Sequence, residues 1–128
     1  MPVKRIEIRW RDMDGFGHVN NSTYLTYLEE ARDEYLTELL GETVHRVVIR
    51  RIEIDFVSGL TQDDDFVDVS VQLTGIGTSS VTLDERVVST TDGRVAATAQ
   101  TVLVHVDESR TAAAPWPTAA RTALTAAR

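Results

Sequence analysis

The stretch RWRDMDGFGHVNNSTYLTYLEEARDEYL, residues 9–36, changes character twice. It begins like the end of a strand and continues as a polar loop that contains glycine. Apolar residues then recur at three- and four-residue spacing, which is typical of an amphipathic helix. The ten residues from Asp12 to Asn21 include two aspartates, one histidine and two asparagines. Turn formation and helix capping explain such residues, and so does a catalytic site at a helix N-terminus.

The residues around this stretch predict one long helix and five strands. The helix has a wide apolar face from Tyr24 to Leu39, with capping residues at 20–22 and a natural end at Gly41. A period of two predicts strands at residues 3–10, 44–57, 65–76, 79–89 and 94–106. A single helix must bury its apolar face on one side of such a sheet. The order β-α-β-β-β-β therefore predicts an α+β fold, a long central helix wrapped by a five-stranded antiparallel sheet.

The other end of the chain and the second face of the sheet complete this prediction. Residues 1–107 form the domain, and residues 108–128 are a C-terminal extension, packed on it or trailing from it, with a short helix after Pro117. The second sheet face has apolar residues that need a cover, which predicts a partner subunit; they are Val47, Val48, Val102 and Val104.

Composition excludes several classes of function. A net charge of −7 argues against a nucleic-acid partner. The absence of cysteine excludes disulfides, thiolate nucleophiles and Cys-based zinc sites, and the three histidines lack metal-ligand spacing, so we expect no metal. No apolar stretch approaches the roughly 18 residues of a membrane span, and the charged first ten residues do not read as a signal peptide. We therefore expect a cytoplasmic protein that does not bind a membrane.

The pattern D-x-D-x-x-G-H-V-N-N-x-x-Y-L-x-Y-x-E-x-A-R at residues 12–32 resembles the signature of a known family. It is similar to the hot-dog-fold acyl-CoA thioesterases related to 4-hydroxybenzoyl-CoA thioesterase. Segments 52–56, 75–88 and 92–107 also fit, so the resemblance covers about residues 3–107. It implies a homodimer or homotetramer with active sites at the dimer interface. It also implies hydrolysis of acyl-CoA without a cofactor, because coenzyme A is part of the substrate.

The resemblance also implies the catalytic residues. Thioester hydrolysis needs an activated water or a nucleophile, and donors that face the developing oxyanion. The second aspartate of D-x-D, Asp14, corresponds to the catalytic carboxylate, as general base or as nucleophile. His18 either braces the loop or takes part directly. The backbone N–H of Asn21, at the positive end of the helix, would polarise the thioester carbonyl.

Substrate contacts are expected at two places. Asn20 and Tyr24 begin the helix beside Asp14, while the small residues of the turn Gly77, Thr78, Ser79 and Ser80 let the CoA arm approach the backbone. Taken alone, this turn is also an ordinary hairpin turn. Many relatives carry a basic residue in it, and a basic pair followed by Pro-Leu after the DF strand, where this chain has Thr78 and the sequence VSGL at residues 57–60. The remaining cations that could compensate are Arg50, Arg51, Arg86 and Arg94.

These observations favour a thioester hydrolase and leave alternatives open. One is a hot-dog domain that binds acyl thioesters or other small ligands without turning them over. Another is a thioesterase that acts on an acyl carrier protein, because few cations surround the expected nucleotide end. A dehydratase is disfavoured, since its usual His/Glu or Asp/His arrangement is not found in the sequence.

Overall fold

The fold of residues 2–128, in a computed structural model, consists of two helices and one five-stranded sheet. The strands are β1 (Val3–Glu7), β2 (Val47–Phe56), β3 (Phe66–Ile76), β4 (Ser80–Ser89) and β5 (Val95–His105), and the helices are α1 (Asn21–Leu40) and α2 (Thr118–Ala127). All strand pairs are antiparallel, in the order β1-β3-β4-β5-β2. The predicted order of elements and the sheet are therefore confirmed.

Helix α1 begins and ends at the residues that the sequence indicates. The Asn20 side chain caps its first turn by accepting a hydrogen bond from the backbone N–H of Ser22, at 2.9 Å. At the other end, the N–H of Gly41 donates to the Thr37 carbonyl. The helix packs over β1, β3 and β4. Its buried face consists of Tyr24, Tyr27, Leu28, Ala31, Arg32, Tyr35, Leu36 and Leu40.

All five strands are shorter than predicted, and the difference is largest in the first two. The first ends at Glu7, and residues 10–12 form a 3₁₀ turn that leads into the polar loop. The second begins at Val47 rather than Val44, because residues 41–46 form another 3₁₀ helix. The chain needs this turn to reverse direction after α1 before Val47 can pair with His105 of β5.

The four valines assigned to the second sheet face have different surroundings in the structure. Val47 packs against the core on the helix side, and Val104 is already buried. That outer face carries polar and charged residues such as Arg5, paired with Asp68. Val48, by contrast, is exposed, and so are three further apolar residues on the edge strand β2 or just beyond it: Ile49, Phe56 and Val57.

The C-terminal segment packs on the same core. Helix α2 contacts α1 and β3, and its buried residues Ala120 and Leu124 join the hydrophobic core. Trp116, which precedes α2, is also buried and donates from its indole Nε1 to the Ser80 carbonyl at 3.0 Å. Among the described residues, neither helix is long and apolar enough to cross a membrane.

Candidate active site

The polar loop between β1 and α1 folds back on itself as a short hairpin. Met13 and Val19 form an isolated antiparallel bridge, and the Asp14 N–H donates to the His18 carbonyl at 2.8 Å. Gly17 allows the reversal, because its φ of 82° lies in the left-handed region that glycine tolerates. The Val19 N–H then donates to the Leu60 carbonyl at 2.8 Å, which fixes the loop to the connection between β2 and β3.

The Asp14 carboxylate is half-buried and is held by only one of its oxygens. Its Oδ1 accepts from the N–H of Phe16 at 2.8 Å and, more weakly, from the N–H of His18 at 3.4 Å. Among the described residues, Oδ2 has no hydrogen-bond partner. Two backbone N–H groups therefore orient the carboxylate while leaving one oxygen open to a water molecule or a substrate.

His18 stabilises the loop through its backbone, while its ring packs elsewhere. The imidazole lies against Gly59: a Cβ atom added to Gly59 would come within 2.9 Å of Cδ2 of the ring. Within the part of the chain that the structure describes, the ring makes no hydrogen bond with Asp14. Residue 59 thus has to be small for the imidazole to take this position.

The N-terminus of α1 lies immediately after this loop. Asn20 Oδ1 accepts from both the N–H and the hydroxyl of Ser22, at 2.9 Å each, so this side chain is used as a cap. Asn21 is the first residue of the helix, and its N–H is one of those that lack an intrahelical acceptor. The helix dipole adds partial positive charge at the same place. A carbonyl oxygen that approaches Asn21 would therefore be polarised.

Tyr24 is buried in the first turn of α1, and burial raises the pKa of its hydroxyl. Its ring meets that of Phe56 edge to face, with centroids 5.2 Å apart. The hydroxyl lies 3.5 Å from the Ser58 carbonyl, at the limit of a hydrogen bond. Tyr24 thus lines the region between the helix N-terminus and the end of β2.

The turn at residues 77–80 lies at the opposite end of the sheet. The 58–60 segment next to the Asp14 loop borders the Val95 end of β5, where the Ser58 hydroxyl donates to the Val95 carbonyl, whereas Ser80 pairs with Val104 at the far end. The ten residues of β4 separate these two ends by about 30 Å. One protomer therefore brings together Asp14, His18, Asn20, Asn21 and Tyr24, but not Gly77, Thr78, Ser79 and Ser80.

The structure also shows a cation at this turn that the sequence did not suggest. Arg121 of α2 donates to the Gly77 carbonyl at 3.0 Å, and the Trp116 N–H donates to the Thr78 carbonyl at 3.1 Å. Arg94, one of the four candidate cations, is instead bound to Asp64 and Asp92. Nothing in the local sequence links residue 121 to residue 77, so only the packing of α2 could reveal this contact.

No group of three or more His, Asp or Glu side chains within residues 2–128 is arranged to hold a metal ion. The chemistry that these residues offer is that of a carboxylate, an imidazole and the first N–H groups of a helix. This set suits acyl transfer from an activated carbonyl to water.

Comparison with known proteins agrees with this class of site. The sequence model of the thioesterase-like superfamily matches residues 8–124. A thioesterase from Thermus thermophilus, solved in complex with coenzyme A and zinc, is 32% identical with a TM-score of 0.87; the match covers 97% of this chain and 91% of that one. A predicted thioesterase from Bacillus stearothermophilus is 28% identical with a TM-score of 0.87, over 98% and 94% of the two chains.

A curated relative is also found. The uncharacterized protein YsmA of Bacillus subtilis (strain 168) is 26% identical over 115 residues, which are 88% of this chain and 77% of YsmA. The fold is thus the hot-dog fold of thioesterases. This chain belongs to the thioesterase-like superfamily.

Proposed function

We propose that this protein hydrolyses acyl-CoA thioesters to a free acid and coenzyme A, without a metal or other cofactor. The observation that carries the proposal is the Asp14 carboxylate, oriented through Oδ1 with Oδ2 open, in the loop that leads into the N-terminus of α1. The similarity to a thioesterase that was solved with coenzyme A supports this class of ligand.

Two routes for Asp14 fit this arrangement. As a general base, the carboxylate takes a proton from water while the water oxygen attacks the thioester carbon. As a nucleophile, it attacks that carbon itself, and water then hydrolyses the resulting mixed anhydride. In both routes the C–S bond breaks, one water is consumed and the CoA thiol is released. The oxyanion that forms on the way would be stabilised by the N–H of Asn21 and the helix dipole.

The complete site would need two copies of the chain, as a homodimer or within a homotetramer. Strand β2 has a free edge, and its Val47 end lies beside the 77–80 turn through His105, whose N–H donates to the Ser79 carbonyl. Its Phe56 end lies beside the Asp14 loop. Antiparallel pairing of two β2 strands joins opposite ends. The turn of a second copy would then lie at the same end as Asp14, where it can bind the CoA arm.

The test is a thiol-release assay on the purified protein with short, medium, long and aromatic acyl-CoA esters. Asp14→Asn keeps the size of the side chain but removes the base or nucleophile, so we expect turnover to fall ~10²-fold or more. The matched control is Asp63→Asn, which neutralises an exposed aspartate outside the site and should leave the rate unchanged. Full activity of Asp14→Asn would rule out a catalytic carboxylate at this position.

A carrier-protein substrate is the second candidate. Arg94, one of the cations available for the nucleotide of coenzyme A, is already paired with two aspartates. Acyl-pantetheine and an acyl carrier protein therefore belong in the same assay. Turnover of these esters alone would transfer the proposal to carrier-bound substrates, and binding without any turnover would indicate a non-catalytic acyl-thioester protein.

A further inference from the structure

A polar network centred on Asp64 lies behind the candidate loop. The Asp64 side chain is only 9% exposed, and its carboxylate accepts from the Thr61 N–H at 2.9 Å, the Ser89 hydroxyl at 2.7 Å and the Thr91 hydroxyl at 3.0 Å. Nη2 of Arg94 lies 3.1 Å from both carboxylate oxygens. The carboxylate is thus saturated with donors from two segments of the chain, the 61–64 turn and the hairpin between β4 and β5.

Arg94 extends this network toward the site. Its Nη2 also donates to the Gly59 carbonyl at 3.0 Å, and its Nε donates to the Ser58 hydroxyl at 3.2 Å. Nη1 binds Asp92 at 2.7 Å. One guanidinium therefore ties the hairpin between β4 and β5 to residues 58–59, which follow β2.

The 58–60 segment is in turn the surface on which the candidate loop rests. The His18 ring packs on Gly59, the Leu60 carbonyl accepts from the Val19 N–H, and the Ser58 carbonyl faces the Tyr24 hydroxyl. These three contacts lie on both sides of Asn20 and Asn21. A displacement of residues 58–60 would be passed directly to the loop and to the start of α1.

We propose that Arg94 and Asp64 are positioning residues, which act through residues 58–60 to fix the His18 imidazole and the Asp14 loop. The inference rests on the proposed function for its kinetic readout, while the position of His18 can be tested without it. Small displacements of a reacting group can cost a large part of the rate. A fall in kcat in a variant that remains folded would therefore report the position of the loop.

The experiment compares Arg94→Gln, Arg94→Lys and Arg5→Gln. Arg5 is the matched control, because it also makes a two-point ion pair, with Asp68 at 2.9 and 3.0 Å, on an exposed part of the sheet away from the loop. For Arg94→Gln we expect kcat to fall about 10-fold or more with KM within about 3-fold of the wild-type value. Lysine keeps the charge but not the planar set of donors, so Arg94→Lys should recover only part of kcat. Arg5→Gln should match the wild type.

Imidazole NMR gives a readout independent of turnover, since the chain has three histidines, His18, His45 and His105. We expect Arg94→Gln to shift the His18 resonances and to leave the other two unchanged. Gly59→Ala is the positive control: its added methyl group meets the His18 ring directly, so it gives the His18 resonances of a displaced ring. If Arg94→Gln fails to fold, Ser58→Ala is used in its place. It removes only one acceptor of the guanidinium, and we again expect a shift of the His18 resonances alone.

Unchanged His18 resonances in a folded Arg94→Gln or Ser58→Ala variant would overturn the inference. A second outcome would also overturn it: in Arg94→Gln, all three histidines shift equally, the melting temperature falls, and kcat falls no more than it does in Arg5→Gln. That outcome would show a purely structural role for Arg94. If the wild type hydrolyses no thioester, the proposed function fails, but a selective His18 shift would still confirm that Arg94 positions the loop.

Discussion

Asp12 and Asp14 are two residues apart and have opposite surroundings. Asp12 is buried and accepts from the Arg9 N–H at 2.9 Å and from the Tyr27 hydroxyl at 2.7 Å. Burial and this hydrogen bond raise the pKa of Tyr27, so the hydroxyl stays protonated and keeps donating. Asp14 keeps one oxygen open. Because a reacting carboxylate must be accessible, this difference favours Asp14 for the chemistry and gives Asp12 a structural role.

Asp64 should make the free energy of unfolding depend on pH. Burial alone would raise the pKa of Asp64, but hydrogen bonds from Thr61, Ser89, Arg94 and Thr91 outweigh it and lower the pKa to about 2. The ionised carboxylate therefore stabilises the fold above about pH 4, and this contribution is lost as the pH falls toward 2. The free energy of unfolding of the wild type should exceed that of Asp64→Asn by about 2 kcal/mol at pH 7.

Denaturant unfolding of both proteins at pH 7, 4 and 3 measures this difference. The difference in unfolding free energy should narrow between pH 4 and pH 3. In this range Asp64 of the unfolded wild type begins to bind a proton, which stabilises the unfolded state, whereas the variant has no carboxylate to protonate. A gap that stays constant with pH would show that the stabilisation does not come from the charge of Asp64.

The sequence predicts contacts between neighbouring residues, but not contacts between residues far apart in the chain. The cap at Asn20 follows from a side chain and a backbone group two residues apart. The contacts of Arg94 with Ser58 and Asp64 join residues 36 and 30 positions apart. No short motif describes such contacts. The sequence therefore left Arg94 as a candidate cation for the substrate, whereas in the structure it binds Ser58 and Asp64.

At the scale of elements, α1 is attached to the sheet by a buried ion pair. Arg32 and Glu85 are 2% and 1% exposed, with Nε of Arg32 3.0 Å from the Glu85 carboxylate. Thr101 of β5 also binds both side chains. Because a buried charge without its partner is costly, Glu85→Gln should lower the free energy of unfolding by ~3–5 kcal/mol.

Denaturant unfolding of the wild type and two variants tests this pair. The control is the double change Arg32→Met with Glu85→Met, which replaces both charges by apolar groups and should recover most of the loss. A loss of under ~1 kcal/mol in Glu85→Gln would mean that water or another group already compensates Arg32.

Periodicity predicted the elements themselves well, because an amphipathic helix and alternating strands each have a regular pattern. It extended the second strand by three residues, since Val44 continues the alternation although residues 41–46 turn as a 3₁₀ helix. It also could not show that Arg32 of the helix motif meets Glu85, because the two residues are 53 positions apart.

For the whole molecule, the arrangement of the sheet decides which residues share a site. The loop with Asp14 and the turn at residues 77–80 lie at opposite ends of β4, although both belong to the family pattern in the sequence. A sequence motif gives the residue types but not the ends of the sheet at which they lie. The two sets of residues can serve one substrate only if another copy supplies the second set.

We therefore predict that two copies of the chain associate through β2. Val48 and Ile49 are 42% and 45% exposed on this edge, which has no neighbouring strand among the described residues. A charge placed there would oppose edge-to-edge pairing while removing few contacts within one chain. We expect Val48→Asp with Ile49→Lys to convert an oligomer into a folded monomer in light scattering, and to abolish turnover because each site loses the second copy.

Val3→Lys is the matched control, since Val3 is 59% exposed on the opposite edge, in β1, and it should remain oligomeric and active. A monomeric double variant with full turnover would show that one chain holds a complete site.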